Sequence, residues 1–208
     1  SIQKNKSSLI RKIIHNVRLK GDKAIINYEK KFSKIKNSSK IIKFTNKEIN
    51  NISKNVDKKL KKSIDIAYSR IKYFHSKQKY NSYSYKDKYK NILSYKYSAL
   101  EKVGVYVPGG TASYPSTVLM NCIPALVAGV KEIYLTTPCL GTKVNPAVIY
   151  AAKKCGVKEV YKTGGAHSIA AFAYGTKTFQ KVDKIVGPGN AFVVSAKKEV
   201  FGDVGIDM

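Results

Sequence analysis

Tryptophan is absent from the 208 residues, methionine occurs twice, proline six times and cysteine only at positions 122, 139 and 155. Three cysteines cannot all pair, and none stands in a CxxC spacing. A disulfide framework and a cysteine zinc site are therefore both excluded, leaving three free thiols. Long apolar runs are also missing. The stretch from Val118 to Val130 is interrupted by Asn121, Pro124 and Gly129 and falls short of a bilayer span, and no basic-then-apolar leader opens the chain, so a cytoplasmic location is expected. Neither GxGxxG nor GxxxxGK[ST] occurs, which disfavours an ordinary dinucleotide fold and a P-loop enzyme.

Acid is scarce as well. Thirteen Asp and Glu face 39 Lys and Arg, for a net charge of +26. The excess is uneven: residues 1–100 hold 27 basic and 6 acidic residues (+21), residues 101–208 hold 12 and 7 (+5). Only Arg11, Arg18 and Arg70 carry the planar guanidinium that readers of bases and phosphates favour. Lysine here accompanies abundant Ile, Asn and Tyr, so the charge reads as compositional drift on a solvated face. A basic nucleic-acid-binding protein is a weaker reading.

What is present divides at about residue 100. In the first part apolar residues recur at helical spacing: Ile10, Ile13, Ile14 and Val17, closed by Gly21, and then Ile25, Tyr28 and Phe32 behind Asp22 as a cap. Thr45 and Glu48 form a capping box ahead of Ile49, Ile52 and Val56. A longer helix is expected to carry Leu60, Ile64, Ala67, Ile71 and Phe74. The Tyr-, Ser- and Lys-rich stretch from Tyr80 to Tyr97 reads as an edge hairpin.

From Val103 the rhythm is strand, turn, helix. Strands are expected at 103–107, 132–136, 159–162 and 184–186, with helices at 116–128, 146–155, 166–174 and 190–200. Asn145, Pro146 and Gly156 mark the second helix most clearly. This alternation predicts a parallel sheet with crossover helices. Ligands of such sheets bind beyond the carboxyl ends of the strands. Four turns fall at that edge: Pro108-Gly109-Gly110, Thr136-Thr137-Pro138, Thr163-Gly164-Gly165 and Gly187-Pro188-Gly189-Asn190. Each is weak evidence alone, because tight turns favour Gly and Pro whatever they bind; together they predict a nucleotide site.

Several stretches carry a resemblance to a known family. These are Val103-Gly-Val-Tyr-Val-Pro-Gly-Gly110, Ser116-Thr-Val-Leu-Met-Asn121, Gly164-Gly-Ala-His-Ser-Ile-Ala-Ala171 and Val182-Asp-Lys-Ile-Val-Gly-Pro-Gly-Asn-Ala-Phe-Val193, with Val17-Arg-Leu-Lys-Gly-Asp22 and Phe74-His-Ser-Lys-Gln78 before them. In this order they resemble the histidinol dehydrogenases, enzymes of histidine biosynthesis that use NAD and zinc. The resemblance implies an aldehyde-dehydrogenase-like α/β fold with an incomplete Rossmann-type parallel sheet preceded by a helical segment. Residues 1–105 would belong to a first domain and 106–208 to a cofactor-side domain, in an intertwined homodimer.

The resemblance also implies NAD contacts at Tyr106 and Asn190, and at His167, which stands where the family usually has glutamine. An imidazole lacks the paired donor and acceptor of an amide. The family's catalytic bases and zinc ligands match positions beyond Met208, so no catalytic or metal residue is assigned here. With Ser1 in place of an initiating methionine, the chain reads as an N-terminal fragment. The alternative is a non-catalytic remnant with a nucleotide-binding or dimerisation role. The implied activity is oxidation of L-histidinol through L-histidinal to L-histidine. Acyl-phosphate reduction on a related fold is disfavoured, because no cysteine has the setting of a nucleophile.

Overall fold

The structure is a computed structural model that describes residues 2–33, 42–109, 114–139 and 143–207. Gly110, part of one of the four turns, and Met208 lie outside the described residues. Four helices come first: α1 (Ile2–Lys20), α2 (Asp22–Phe32), α3 (Asn46–Lys54) and α4 (Lys58–Ser76). A hairpin of β1 (Tyr83–Lys86) and β2 (Ile92–Tyr95) follows, and then β3 (Lys102–Tyr106), α5 (Pro115–Ala128), β4 (Glu132–Thr136), α6 (Pro146–Lys154), β5 (Glu159–Tyr161), α7 (Gly165–Tyr174), β6 (Lys184–Val186), α8 (Ala191–Val200) and β7 (Gly205–Ile206).

Strands β3 to β7 form one parallel sheet in the order β5-β4-β3-β6-β7. The chain winds outward from β3 to one edge, returns, and winds outward to the other, so the order reverses between β3 and β6. Period-two alternation divides the sheet into two apolar faces. Val103, Val105, Val107, Ile133, Leu135 and Val160 join the core beneath α5 and α6. Tyr106, Tyr134, Tyr161 and Ile185 join the core beneath α7 and α8. Gly104 belongs to the second face, where a Cβ would lie 2.9 Å from the Phe172 ring; its missing side chain lets α7 settle onto the central strand.

The first four helices pack over those on both faces. Ile10, Ile13, Val17 and Ile25 of α1 and α2 pack with α7 and α8, and Ile64 of α4 packs with α5 and α6. With α5 and α6 on one face and α7 and α8 on the other, the sheet is buried on both sides, as parallel sheets require.

Local chemistry explains most element ends. Gly21 closes α1 with φ +52° and a hydrogen bond from its N–H to the Val17 carbonyl of 2.8 Å. Thr45 Oγ1 accepts the Glu48 N–H at 3.2 Å, and Glu48 Oε2 accepts the Thr45 N–H at 2.7 Å, completing the expected capping box. Asn145 Oδ1 accepts the Ala147 N–H at 2.9 Å to open α6.

Three expectations are corrected. Asp22 does not cap α2: Gly21 holds that position, and the Asp22 carboxylate accepts the Thr178 hydroxyl at 2.6 Å and the Thr176 hydroxyl, tying α2 to the loop after α7. The stripe on α4 is buried at Ile64, but Leu60 and Phe74 at its ends are exposed, because α5 and α6 reach only its middle. The hairpin is not an edge of the main sheet. It is a separate two-stranded ribbon whose residues are all exposed. Its register places Tyr83, Tyr85, Leu93 and Tyr95 on one face and Ser84 and Ser94 on the other.

Candidate functional site

The strand order reverses between β3 and β6, and the carboxyl ends of those strands are the position where doubly wound sheets bind ligands in a crevice. Strand β6 runs directly into Gly187. That residue has φ +107°, and a Cβ built there would lie 2.1 Å from the Tyr106 carbonyl oxygen. Three residues later Asn190 caps α8, its Oδ1 accepting the Phe192 and Val193 N–H groups at 3.0 and 3.1 Å. Asn190 is exposed, and with its oxygen committed to the helix it can offer a ligand its amide NH2. The amino end of α8 favours an anion.

The glycine turns meet one another as well as the crevice. A Cβ on Gly109 would lie 2.5 Å from the Pro138 carbonyl oxygen, and one on Gly164 would lie 2.5 Å from Pro138 Cβ. Thr136 Oγ1 donates to the Thr163 carbonyl at 2.7 Å. Tight packing between turns thus accounts for the glycines at 109, 164 and 187, where the sequence pointed to close approach of a ligand.

Tyr106 ends β3 with its ring in the core, 3% exposed, and its Oη accepts the Gly165 N–H at 3.2 Å. Burial raises the pKa of its phenol, the Glu29 carboxylate raises it further, and the Gly165 hydrogen bond offsets part of that rise. His167 lies in the first turn of α7, also 3% exposed, beside the rings of Tyr28 and Phe32, which stack on each other. Its Nε2 is 2.7 Å from Glu29 Oε1, and the same oxygen accepts the Gly164 N–H at 3.0 Å. Burial pushes the Glu29 carboxyl up, but the His167 contact, aided by Ser33 and Gly164, outweighs it and leaves the group below its ordinary value.

Glu29 was not singled out from the sequence, where Tyr28-Glu29-Lys30-Lys31 reads as the polar side of a helix. One signal was available: Glu29 is four residues after Ile25 and therefore shares the buried stripe.

Tyr106 and His167 are thus brought together around Gly164 and Gly165, while Asn190 stands at the separate amino end of α8. Cys139 is no nucleophile, since burial and then the Glu29 charge push its thiol up to about 12. Among the described residues no three His, Cys, Asp or Glu side chains converge on a metal position. His15 is exposed on α1, and His75 Nδ1 is 2.6 Å from Gln78 Oε1.

The profile of the histidinol dehydrogenase family matches residues 1–208. The chain is 57% identical over 206 residues to a histidinol dehydrogenase of Pelagibacter ubique strain HTCC1062, covering 99% of this chain and 47% of that protein. It is 48% identical over 200 residues to a histidinol dehydrogenase of Bacillus subtilis strain 168, covering 96% of this chain and 46% of that protein. A crystal structure of histidinol dehydrogenase from Elizabethkingia anophelis superposes with a TM-score of 0.91 at 38% identity, covering 97% of this chain and 46% of the other. The chain spans about half the length of the relatives it matches. It belongs to the histidinol dehydrogenase family.

Proposed function

We propose that residues 1–208 form the cofactor side of an NAD-dependent enzyme that oxidises L-histidinol through L-histidinal to L-histidine. The observation that carries this reading is the reversal of strand order between β3 and β6, with the Asn190-capped end of α8 beside it. Bound NAD would supply the hydride acceptor. The Asn190 amide and the helix end behind it suit a nucleotide's polar and anionic parts. Tyr106 lies beneath the β5–α7 turn and shapes the floor of the crevice. His167 has its Nε2 engaged by Glu29, so any contact it makes with the cofactor comes from another part of the ring.

The described residues do not fit a zinc ion, and no step is assigned to one in this chain. Zinc ligands and catalytic bases belong to positions the family places outside residues 1–208. The exposed aromatic face of the hairpin supports a homodimer, because a two-stranded ribbon is marginal without something against its apolar side.

Calorimetric titration of the 208-residue protein with NAD, alongside an assay for NADH formation from L-histidinol, tests the reading. Saturable binding without turnover is expected. No saturable binding would remove the cofactor assignment, and turnover by this chain alone would place catalytic groups within it.

A further inference from the structure

The Gly187 turn is gripped from both sides by an ion pair that the cofactor reading does not use. Lys197 lies on the inner side of α8 among Val193, Ala196 and Val200, with its side chain 7% exposed. Its Nζ donates to the Gly187 carbonyl at 2.5 Å and pairs with Asp207 Oδ1. The other carboxylate oxygen, Asp207 Oδ2, accepts the Gly187 N–H at 2.7 Å. Asp207 is itself fixed by its backbone, whose N–H extends the β6–β7 pairing to the Ile185 carbonyl at 3.2 Å. Both backbone polar groups of one glycine are therefore held by the two members of one salt bridge.

Burying an ammonium group is costly, and a well-packed apolar side chain at the same place is commonly as stable or more so. What the ion pair adds is position. Gly187 has a positive φ and lies against the Tyr106 carbonyl, and because glycine reaches many backbone conformations freely, the turn takes its fixed course from what holds it. A clamp on Gly187 sets the course of Pro188 and Gly189, and through them the place of Asn190 at the mouth of the crevice.

We propose that Lys197 and Asp207 are positioning residues that hold the Gly187–Asn190 turn in its ligand-receiving shape. The ligand, though not the clamp, rests on the NAD reading above.

The test uses Lys197→Met, which keeps the length and apolar stem, and Asp207→Asn, a milder change that keeps one acceptor and serves if the first variant does not fold. Lys198→Met, at an exposed neighbouring position, is the control. Amide hydrogen exchange is followed residue by residue, and NAD affinity is measured by calorimetry. In the clamp variants protection should fall about tenfold or more at residues 187–193 while the amides of β4 and α6 keep theirs, and NAD binding should weaken about tenfold. Wild-type exchange and affinity in a folded clamp variant would overturn the proposal, and so would a loss of protection spread evenly over the sheet, which marks a general stability role. If the wild-type protein binds no NAD but the exchange effect is confined to the turn, the cofactor reading fails and the clamp stands.

Discussion

Glu29 and His167, 138 positions apart, meet at 2.7 Å inside the protein, and the glutamate oxygen that touches the imidazole also takes the Gly164 N–H at the amino end of α7. Such a helix end favours a negative charge, and in doubly wound sheets that charge is commonly a ligand phosphate. Here α2 delivers a carboxylate to it. The end of α7 is thus neutralised from within, whereas the amino end of α8 keeps an exposed cap residue, Asn190. Of the four helix ends that follow the strands of the sheet, one therefore serves the protein's own packing.

Breaking that pair should be expensive. Glu29→Gln removes the charge from a buried hydrogen-bonded contact and is expected to cost about 3 kcal/mol, measured by urea unfolding at pH 7. The folded carboxyl titrates below its ordinary value of 4.5, so the folded state binds fewer protons and Glu29 contributes stability that is complete above pH 4.5 and lost as pH falls through the folded value. The gap between wild type and Glu29→Gln should therefore be constant from pH 7 to 5 and narrow below 4.5. A gap that stays constant into acid would show that the carboxylate's charge contributes nothing.

Gly187 and Gly156 separate two reasons for conserving a glycine's freedom. Both have positive φ, +107° and +66°, but a Cβ at 156 meets nothing within 4 Å, whereas at 187 it would meet the Tyr106 carbonyl oxygen at 2.1 Å. Gly156→Ala should cost about 1 kcal/mol, the ordinary left-handed penalty. Gly187→Ala must also push β3 from β6 and should cost about 4 kcal/mol or more, enough to prevent folding in many domains. Thermal melts of the two variants give the comparison, and equal costs would contradict the close approach.

The three thiols should be silent in the folded protein. Cys122, Cys139 and Cys155 are each no more than 1% exposed. Hydrogen bonding with Cys155 and burial hold the Cys122 thiol well above its usual range, and burial lifts Cys139 to about 12. Iodoacetamide at pH 8, followed by mass analysis, should label none of them within minutes and all three in denaturant. Rapid single labelling at Cys139 would mean that the turn after β4 opens in solution.

The determinants that were legible in the sequence are the local ones. Thr45 with Glu48, Asn145 with Pro146, and the run Glu132–Thr136 act within a few residues, so spacing alone placed them, with boundaries within a residue or two of those observed. What escaped is held by partners far along the chain. Lys162 reads as a surface lysine, yet it is buried, with its Nζ 2.7 Å from Glu48 Oε1 and 4.4 Å from the centre of the Phe44 ring. Lys197 escaped for the same reason: in a sequence with 39 basic residues, one buried cation has no composition signature. The tyrosines of the hairpin were readable as strand residues, but only the fold shows that they stay exposed among the described residues.

Asn190 offers the sharpest separation of stability from ligand binding at the proposed site. As a helix cap, Asp serves as well as Asn, because either side chain presents an oxygen to the second and third amides of α8. Asn190→Asp should therefore leave the melting temperature unchanged, or raise it slightly through the favourable dipole. For a nucleotide the same change is harmful. It replaces the amide NH2 with a negative charge beside the anionic part of the ligand, and NAD affinity should fall at least about tenfold, roughly 1.4 kcal/mol. Asn190→Ala should lose about 1 kcal/mol of stability with the cap, besides the amide contact. Calorimetry and melting curves on both variants resolve the two roles. If Asn190→Asp binds NAD as wild type does, the residue is a cap alone, and the pyrophosphate is received elsewhere along the crevice.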